Sequence, residues 1–126
     1  MRAIFDRQRA CRAGRLAAVS GTGQVISRND VPSPVILRVV DAAGHPMAGA
    51  TVSFYESLKE WGPPCPASGR CPSVPVLMTQ SAQAVSDADG IVTLNPLYRP
   101  GVATRLALLA FTGEAGTLLV EIEQQP

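Results

Sequence analysis

The sequence predicts an all-β fold, a sandwich of two antiparallel sheets with seven or eight strands. Short runs of alternating apolar and polar residues recur along the chain, and turn signals separate them about every 8–12 residues. Eleven glycines and eleven prolines leave little room for long helices. With 126 residues, the chain has the length of one domain.

The N-terminal segment differs in charge from the rest of the chain. Residues 1–15 contain five arginines and one acidic residue, whereas the whole chain carries a net charge of only +1. We therefore expect residues 1–16 to form a basic, flexible arm and residues 17–124 to form the sandwich domain. The balanced total charge gives no overall attraction to nucleic acids, so no nucleic-acid partner is expected.

No apolar run approaches the roughly 20 residues that a transmembrane helix needs, so no transmembrane segment is expected. The apolar stretch that follows the arginines ends after four residues, at Ser20. A signal peptide needs a longer apolar core, so this stretch is not one.

The strongest strand signals lie in the first half of the chain. Residues 35–41 alternate, with Val35, Leu37 and Val39 on one face of the predicted strand. Residues 50–55 alternate in the same way, and Phe54 is the expected core anchor.

Further strands are expected at residues 24–27, 76–79, 83–86, 91–94, 104–111 and 117–123. Residues 106–111 also fit a helical turn, but their β-forming neighbours and the glycines on both sides favour a strand. The reversals between strands use residues that accept positive φ, fix φ or bond nearby main-chain groups. The expected turn residues are Asp41, Gly44, Pro46, Gly49, Asp87, Asp89 and Gly90.

Two of these turns occur in a recognisable order. Residues 39–54 contain a strand ending in Asp41, then Gly-x-Pro-x-x-Gly, then an alternating strand ending in Phe54; Asp-Ala-Asp-Gly follows some thirty residues later. Together these motifs resemble the bacterial immunoglobulin-like domains of the invasin and intimin type, over residues 17–124. The resemblance implies an immunoglobulin-like sandwich that serves, without catalysis, as a spacer or adhesion module beside similar domains. The chain departs from that pattern in its long Cys- and Pro-containing loop and in having a single copy.

That loop is predicted at residues 57–75 and contains five prolines and the only tryptophan, Trp61. A connection of this length is usually functional or disordered. Trp61 beside a proline-stiffened segment is the main candidate for a recognition surface, with Tyr55 and Arg70 as further binding candidates. The alternative is that Trp61 packs over an open end of the sandwich.

The cysteines indicate the cellular compartment in which the protein is expected. Cys65 and Cys71 have five residues between them, a spacing that favours a local disulfide over free thiols or a metal site. A disulfide indicates an oxidising environment, so we expect an extracellular, cell-surface or periplasmic location. Cys11 then remains as a free thiol or as the partner of a cysteine outside this chain.

Residues suited to catalysis are sparse. His45 is the only histidine and lies in a Gly-His-Pro turn, without a nucleophile motif in the chain. Asp87 and Asp89 resemble the start of a calcium loop, but the later acidic ligands are missing. We therefore expect no enzymatic activity, no metal and no cofactor.

The sequence thus predicts a non-catalytic module of an exported bacterial protein, acting as a spacer or binding a protein or glycan on a surface. The alternative is a carbohydrate- or ligand-binding accessory module of a secreted enzyme that uses the loop at residues 57–75. A further hypothesis is a subunit that assembles by edge pairing of residues 104–111 or 117–123.

Overall fold

The computed structural model describes residues 15–62, 69, 74–112 and 116–126. These residues form eight strands and, within that part of the chain, no helix. The strands are β1 (Arg15–Ser20), β2 (Val25–Ser27), β3 (Val35–Val40), β4 (Thr51–Glu60), β5 (Val76–Val85), β6 (Ile91–Leu94), β7 (Thr104–Thr112) and β8 (Gly116–Gln125).

The strands form two sheets. One has three strands in the order β1-β3-β6, and the other has five in the order β2-β8-β7-β4-β5. The predicted all-β sandwich of seven to eight strands is therefore confirmed. The pairing of β3 with β6 in one sheet and of β8, β7 and β4 in the other follows the immunoglobulin order of strands.

The core lies between the sheets because apolar residues alternate along the strands that face each other. Phe54, the expected core anchor, is only 3% exposed. Burying one such side chain stabilises the fold by about 1.5–3 kcal/mol. The core cluster consists of Val35, Leu37, Val39, Val52, Phe54, Leu58, Val92, Leu106, Leu108, Ala110, Val120 and Ile122.

Strands β4 and β5 are longer than predicted. β4 continues to Glu60, and β5 is one strand of ten residues rather than two separate runs. The two strands pair antiparallel along this length, so each satisfies main-chain groups of the other even where its own sequence is polar. The prediction of a loop at residues 57–75 is therefore wrong at its start. Residues 63–68 and 70–73 of that loop lie outside the described residues.

The first strand region crosses from one sheet to the other. β1 pairs antiparallel with β3, whereas β2 pairs parallel with β8, an exception to the predicted antiparallel arrangement. The chain passes between the sheets at residues 21–23 without reversing direction, and Gly21 there has a φ of 83°. β1 also includes Arg15 and Leu16, the last two residues of the predicted basic arm.

The position of β7 bears on edge pairing. β7 lies between β4 and β8 and pairs with both. Its main-chain groups are therefore already used within the sheet, so the hypothesis that residues 104–111 form an open edge is wrong. β5 is the edge strand at that side of the sheet.

Two turns with the expected aspartates lie side by side. Oδ1 of Asp41 accepts the N–H groups of Ala43 and His45, each at 2.9 Å. The N–H of His45 is the main cause that lowers the pKa of Asp41 below its ordinary value. Oδ1 of Asp87 accepts two main-chain N–H groups in the same way, at 2.9 Å each. Both aspartates thus organise their own turns.

The same turns hold each other through Gly90 and Ser86. Gly90 has a φ of 75°, and its carbonyl accepts the N–H of Val39 at 2.7 Å. The hydroxyl of Ser86 donates to the Met47 carbonyl and accepts the N–H of Ala50 at 2.9 Å. This interlock joins the two sheets at one end of the sandwich.

Candidate functional site

The outer face of the five-stranded sheet is the candidate functional site. Side chains at odd positions of β4, β7 and β8 point away from the core, because neighbouring residues of a strand alternate between the two sides. In an antiparallel sheet the side that faces solvent is usually polar. On β4, β7 and β8 this side carries four large apolar or aromatic side chains that are exposed. These residues, called the outer-face patch below, are Tyr55, Leu109, Phe111 and Leu119.

Strand register brings the patch together. Tyr55 lies opposite Leu109, and Leu109 lies opposite Leu119, so the three form a row across three strands. Phe111 follows Leu109 on the same face of β7. Their exposed fractions are 47% for Tyr55, 37% for Leu109, 36% for Phe111 and 56% for Leu119. The patch is therefore contiguous and open to solvent, a combination that marks interaction surfaces.

A shallow, open depression of about 540 Å³ adjoins the patch on the β5 side. Tyr55 and Phe111 form its aromatic wall. Ser53, Ser81 and Gln83 supply hydroxyl and amide groups, and the Gln83 amide donates to Ser53 Oγ at 3.4 Å. The depression thus offers an aromatic wall next to neutral hydrogen-bonding groups.

Charged residues border the patch at the opposite end of β7. The Arg105 guanidinium lies 4.3 Å from the centre of the Trp61 ring. On its other side, Arg105 Nε is 3.7 Å from Glu123 Oε1. The Trp61 N–H donates to the Ala103 carbonyl at 2.9 Å, which holds the end of β4 against the residues before β7. One face of the Trp61 ring is therefore occupied by Arg105.

Among the candidate binding residues, the structure places Tyr55 and Trp61 on the same side of one sheet. Tyr55 belongs to the patch, and Trp61 contacts the Arg105 that borders it. Arg70, and the predicted disulfide partners Cys65 and Cys71, lie outside the described residues.

Sequence reasoning missed the contribution of β7 and β8 to this face. Arg105, Leu109 and Phe111 lie in the predicted strand at residues 104–111, and Leu119 lies in the predicted strand at residues 117–123, but neither prediction assigns these side chains to a binding surface. The available signal was the apolar character of both alternating sets in residues 104–111, which leaves one set without a place in the core.

Glu56 is an unexpected ionisable group on the inward side of β4. Its side chain is 5% exposed, and Leu97 N–H donates to its Oε1 at 3.2 Å. Burial raises the pKa of Glu56 above its ordinary value, while the Leu97 hydrogen bond acts in the opposite direction. The carboxyl group anchors the connection between β6 and β7 to the inner side of the sheet.

His45, the residue considered as a catalytic base, lies in the turn after β3. Its side chain is 78% exposed, and Nδ1 is 3.7 Å from Asp41 Oδ2. Within residues 15–62, 74–112 and 116–126, no three His, Cys, Asp or Glu residues come together in a way that could hold a metal ion.

Comparison with known proteins gives no family assignment: neither a family model nor a curated protein matches this sequence. In the part of the chain that the structure describes, no helix is long and apolar enough to cross a membrane.

Proposed function

We propose that this chain is a non-catalytic binding module of an exported bacterial surface or secreted protein, and that it binds a partner protein through the outer-face patch. The observation that carries this proposal is the in-register row of Tyr55, Leu109 and Leu119 on the solvent side of the sheet. Exposed apolar patches of this kind are costly in water unless a partner covers them.

The composition of the face favours a protein as the partner. Its centre is apolar and aromatic, and charged groups of Arg105 and Glu123 lie at its border. Protein interfaces typically have an aromatic-rich centre and a polar rim. Glycan recognition through Trp61 needs an open ring face, and Arg105 already covers one of the two. The accessory-module alternative therefore has less support.

Export and membership of the invasin and intimin type of immunoglobulin-like domain remain part of the proposal. Membership is supported by the sandwich with immunoglobulin strand order and by the interlocked turns that contain the resemblance motifs. Export is what that membership implies. The single His45 is largely exposed in one of those turns, which supports a role without catalysis. A neighbouring domain of the same type is the expected covalent context, in which the module also acts as a spacer.

Binding is tested on immobilised extracellular-matrix and serum proteins, with a glycan array in parallel. We expect at least one protein to bind the wild type, and we expect Leu119→Ser to weaken that binding about tenfold or more, as for a central interface residue. Val31→Ser is the matched control, because Val31 is 65% exposed and lies in the β2–β3 connection away from the patch. Equal loss in both variants, or binding of glycans alone with loss in Trp61→Ala, contradicts the proposed surface.

Export is tested separately by thiol alkylation and mass spectrometry of the protein as isolated from its native host. We expect Cys65 and Cys71 to resist alkylation until a reductant is added, because a joined pair has no free thiolate. Immediate alkylation of both cysteines argues against the oxidising compartment.

A further inference from the structure

Strand β5 forms a long edge of the five-stranded sheet. Among the described strands it pairs only with β4, where nine of its ten residues have partners. The other sheet edges are shorter: β1 has six residues with a register shift after Ala18, and β6 has four. The far edge of the five-stranded sheet consists of the three residues of β2 and of the seven residues of β8, 116–122, that β2 does not cover. An edge strand presents a row of main-chain donors and acceptors to solvent.

β5 lacks the usual protection of such an edge. The strand, VLMTQSAQAV, contains no charged residue and no proline. Natural edge strands are commonly protected by lysine, proline, bulges or short length. In β5 the only irregularity lies near its first end, where the register shifts opposite Leu58 and Lys59. The stretch at residues 78–84 is therefore a regular, neutral template for another strand.

The hydrogen bonds between β4 and β5 determine which main-chain groups of β5 point to the open edge. Ser86 N–H donates to the Ala50 carbonyl at 2.9 Å, at the end of the same antiparallel ladder. Because hydrogen-bonded and non-hydrogen-bonded pairs alternate, even-numbered residues of β5 bond to β4. The main-chain groups of Thr79, Ser81 and Gln83 consequently point to the open edge.

We propose that β5 pairs antiparallel with β5 of a second copy of this chain, about a two-fold axis at Ser81. In this register Thr79 lies opposite Gln83 of the second copy on the outer face, and two neutral hydrogen-bonding side chains meet. On the inner face Met78 lies opposite Ala84, so a large side chain meets a small one.

A second copy fits this edge because the strand is complementary to itself. No like charges meet across the axis, and each open main-chain donor meets an acceptor of the identical strand. The resulting ten-stranded sheet carries both outer-face patches on the same side, with the depression next to Ser81 and Gln83 at the seam.

The test is sedimentation of the full chain under reductant, which excludes dimers joined through cysteines. From about 1 μM to about 1 mM we expect a reversible monomer–dimer equilibrium. Ser81→Lys places two lysines opposite each other at the axis, where the Cα atoms of a hydrogen-bonded pair are about 5.5 Å apart. Like charges directly opposite are unfavourable, so we expect at least tenfold weaker dimerisation. Thr117→Lys is the matched control, since it adds the same charge to an exposed position of β8. We expect this variant to dimerise like the wild type.

A charge exchange makes the test specific for the axis. Ser81→Glu alone also dimerises weakly, whereas an equimolar mixture of the Lys and Glu variants forms a heterodimer at least as readily as the wild type. Circular dichroism of each monomer verifies the fold. A wild type that stays monomeric to about 1 mM overturns the proposal, even where β5 accepts a strand of another protein. So does a dimer that Leu119→Ser disrupts and Ser81→Lys does not.

Discussion

The two faces of β7 have similar apolar chemistry and opposite environments. On the inward face Leu106, Leu108 and Ala110 are no more than 3% exposed, because the three-stranded sheet covers them. On the outward face Leu109 and Phe111 are 37% and 36% exposed. The sheet that contains β7 therefore has the core on one side and a candidate interface on the other. The difference in burial between the two faces comes from the opposing sheet rather than from the composition of β7.

The largest expected effect separates two adjacent leucines of that strand. Leu108→Ala removes a fully buried side chain, and we expect the free energy of unfolding to fall by about 2–5 kcal/mol. Leu109→Ala changes the outward face and is expected to cost about 0.5–1 kcal/mol. Urea unfolding of both variants measures the difference. Equal losses would mean that the outer face is covered within the monomer.

A second prediction concerns Glu56, the buried carboxyl group on the inward side of β4. Burial raises its pKa above the ordinary value of 4.5, so the folded protein holds this proton more tightly than the unfolded chain. The contribution of Glu56 to stability is therefore complete below about pH 4.5 and is lost as pH rises through the raised pKa.

Replacing Glu56 with glutamine removes the loss of stability at higher pH, because glutamine does not ionise. The substitution also keeps an acceptor for the Leu97 N–H. We expect Glu56→Gln to be more stable than the wild type at neutral pH, and we expect the difference to shrink toward pH 4. Urea unfolding across this range tests it. Glu121→Gln, on the exposed outward side of β8, is the control and should show no such trend. If the difference in the free energy of unfolding between Glu56→Gln and the wild type does not depend on pH, the raised pKa of Glu56 is contradicted.

The smallest expected effect lies at the border of the outer face. Arg105→Ala removes the guanidinium that lies 4.3 Å from the Trp61 ring centre. A contact of this kind at an exposed site contributes about 0.5–1 kcal/mol. We also expect a red shift of the tryptophan emission, since water replaces the guanidinium over the only indole of the chain. Unchanged emission would show that the ring does not depend on Arg105 for its environment.

Much of the fold is predictable from local patterns. Alternation in residues 35–41 and 50–55 indicates which side chains enter the core, and the buried set includes Leu37 and Phe54 as expected. The motif with Asp41 and Asp87 occurs in turns whose carboxylates bond their own main chain. These features are predictable because they arise from residues close together in the sequence.

The candidate site is less predictable because it depends on register between distant strands. Trp61 and Arg105 meet only through the pairing of β4 with β7, and Leu119 reaches the patch only through β8. The extension of β4 to Glu60 depends on β5, since the polar residues of its second half show no strong strand signal alone. The inward position of Glu56 follows from that extension. No local pattern contains this information.

The short parallel pairing of β2 with β8 has a consequence for how the protein acquires its structure. Val25 pairs with Glu123, so almost the whole described chain lies between the two partners. The N–H of Arg28 likewise donates to the Gln125 carbonyl at 2.9 Å. On the ribosome, β2 cannot pair with β8 until β8 has emerged, and contacts between such distant segments slow folding. The pairing of β2 with β8 is therefore a late event in the folding of this domain.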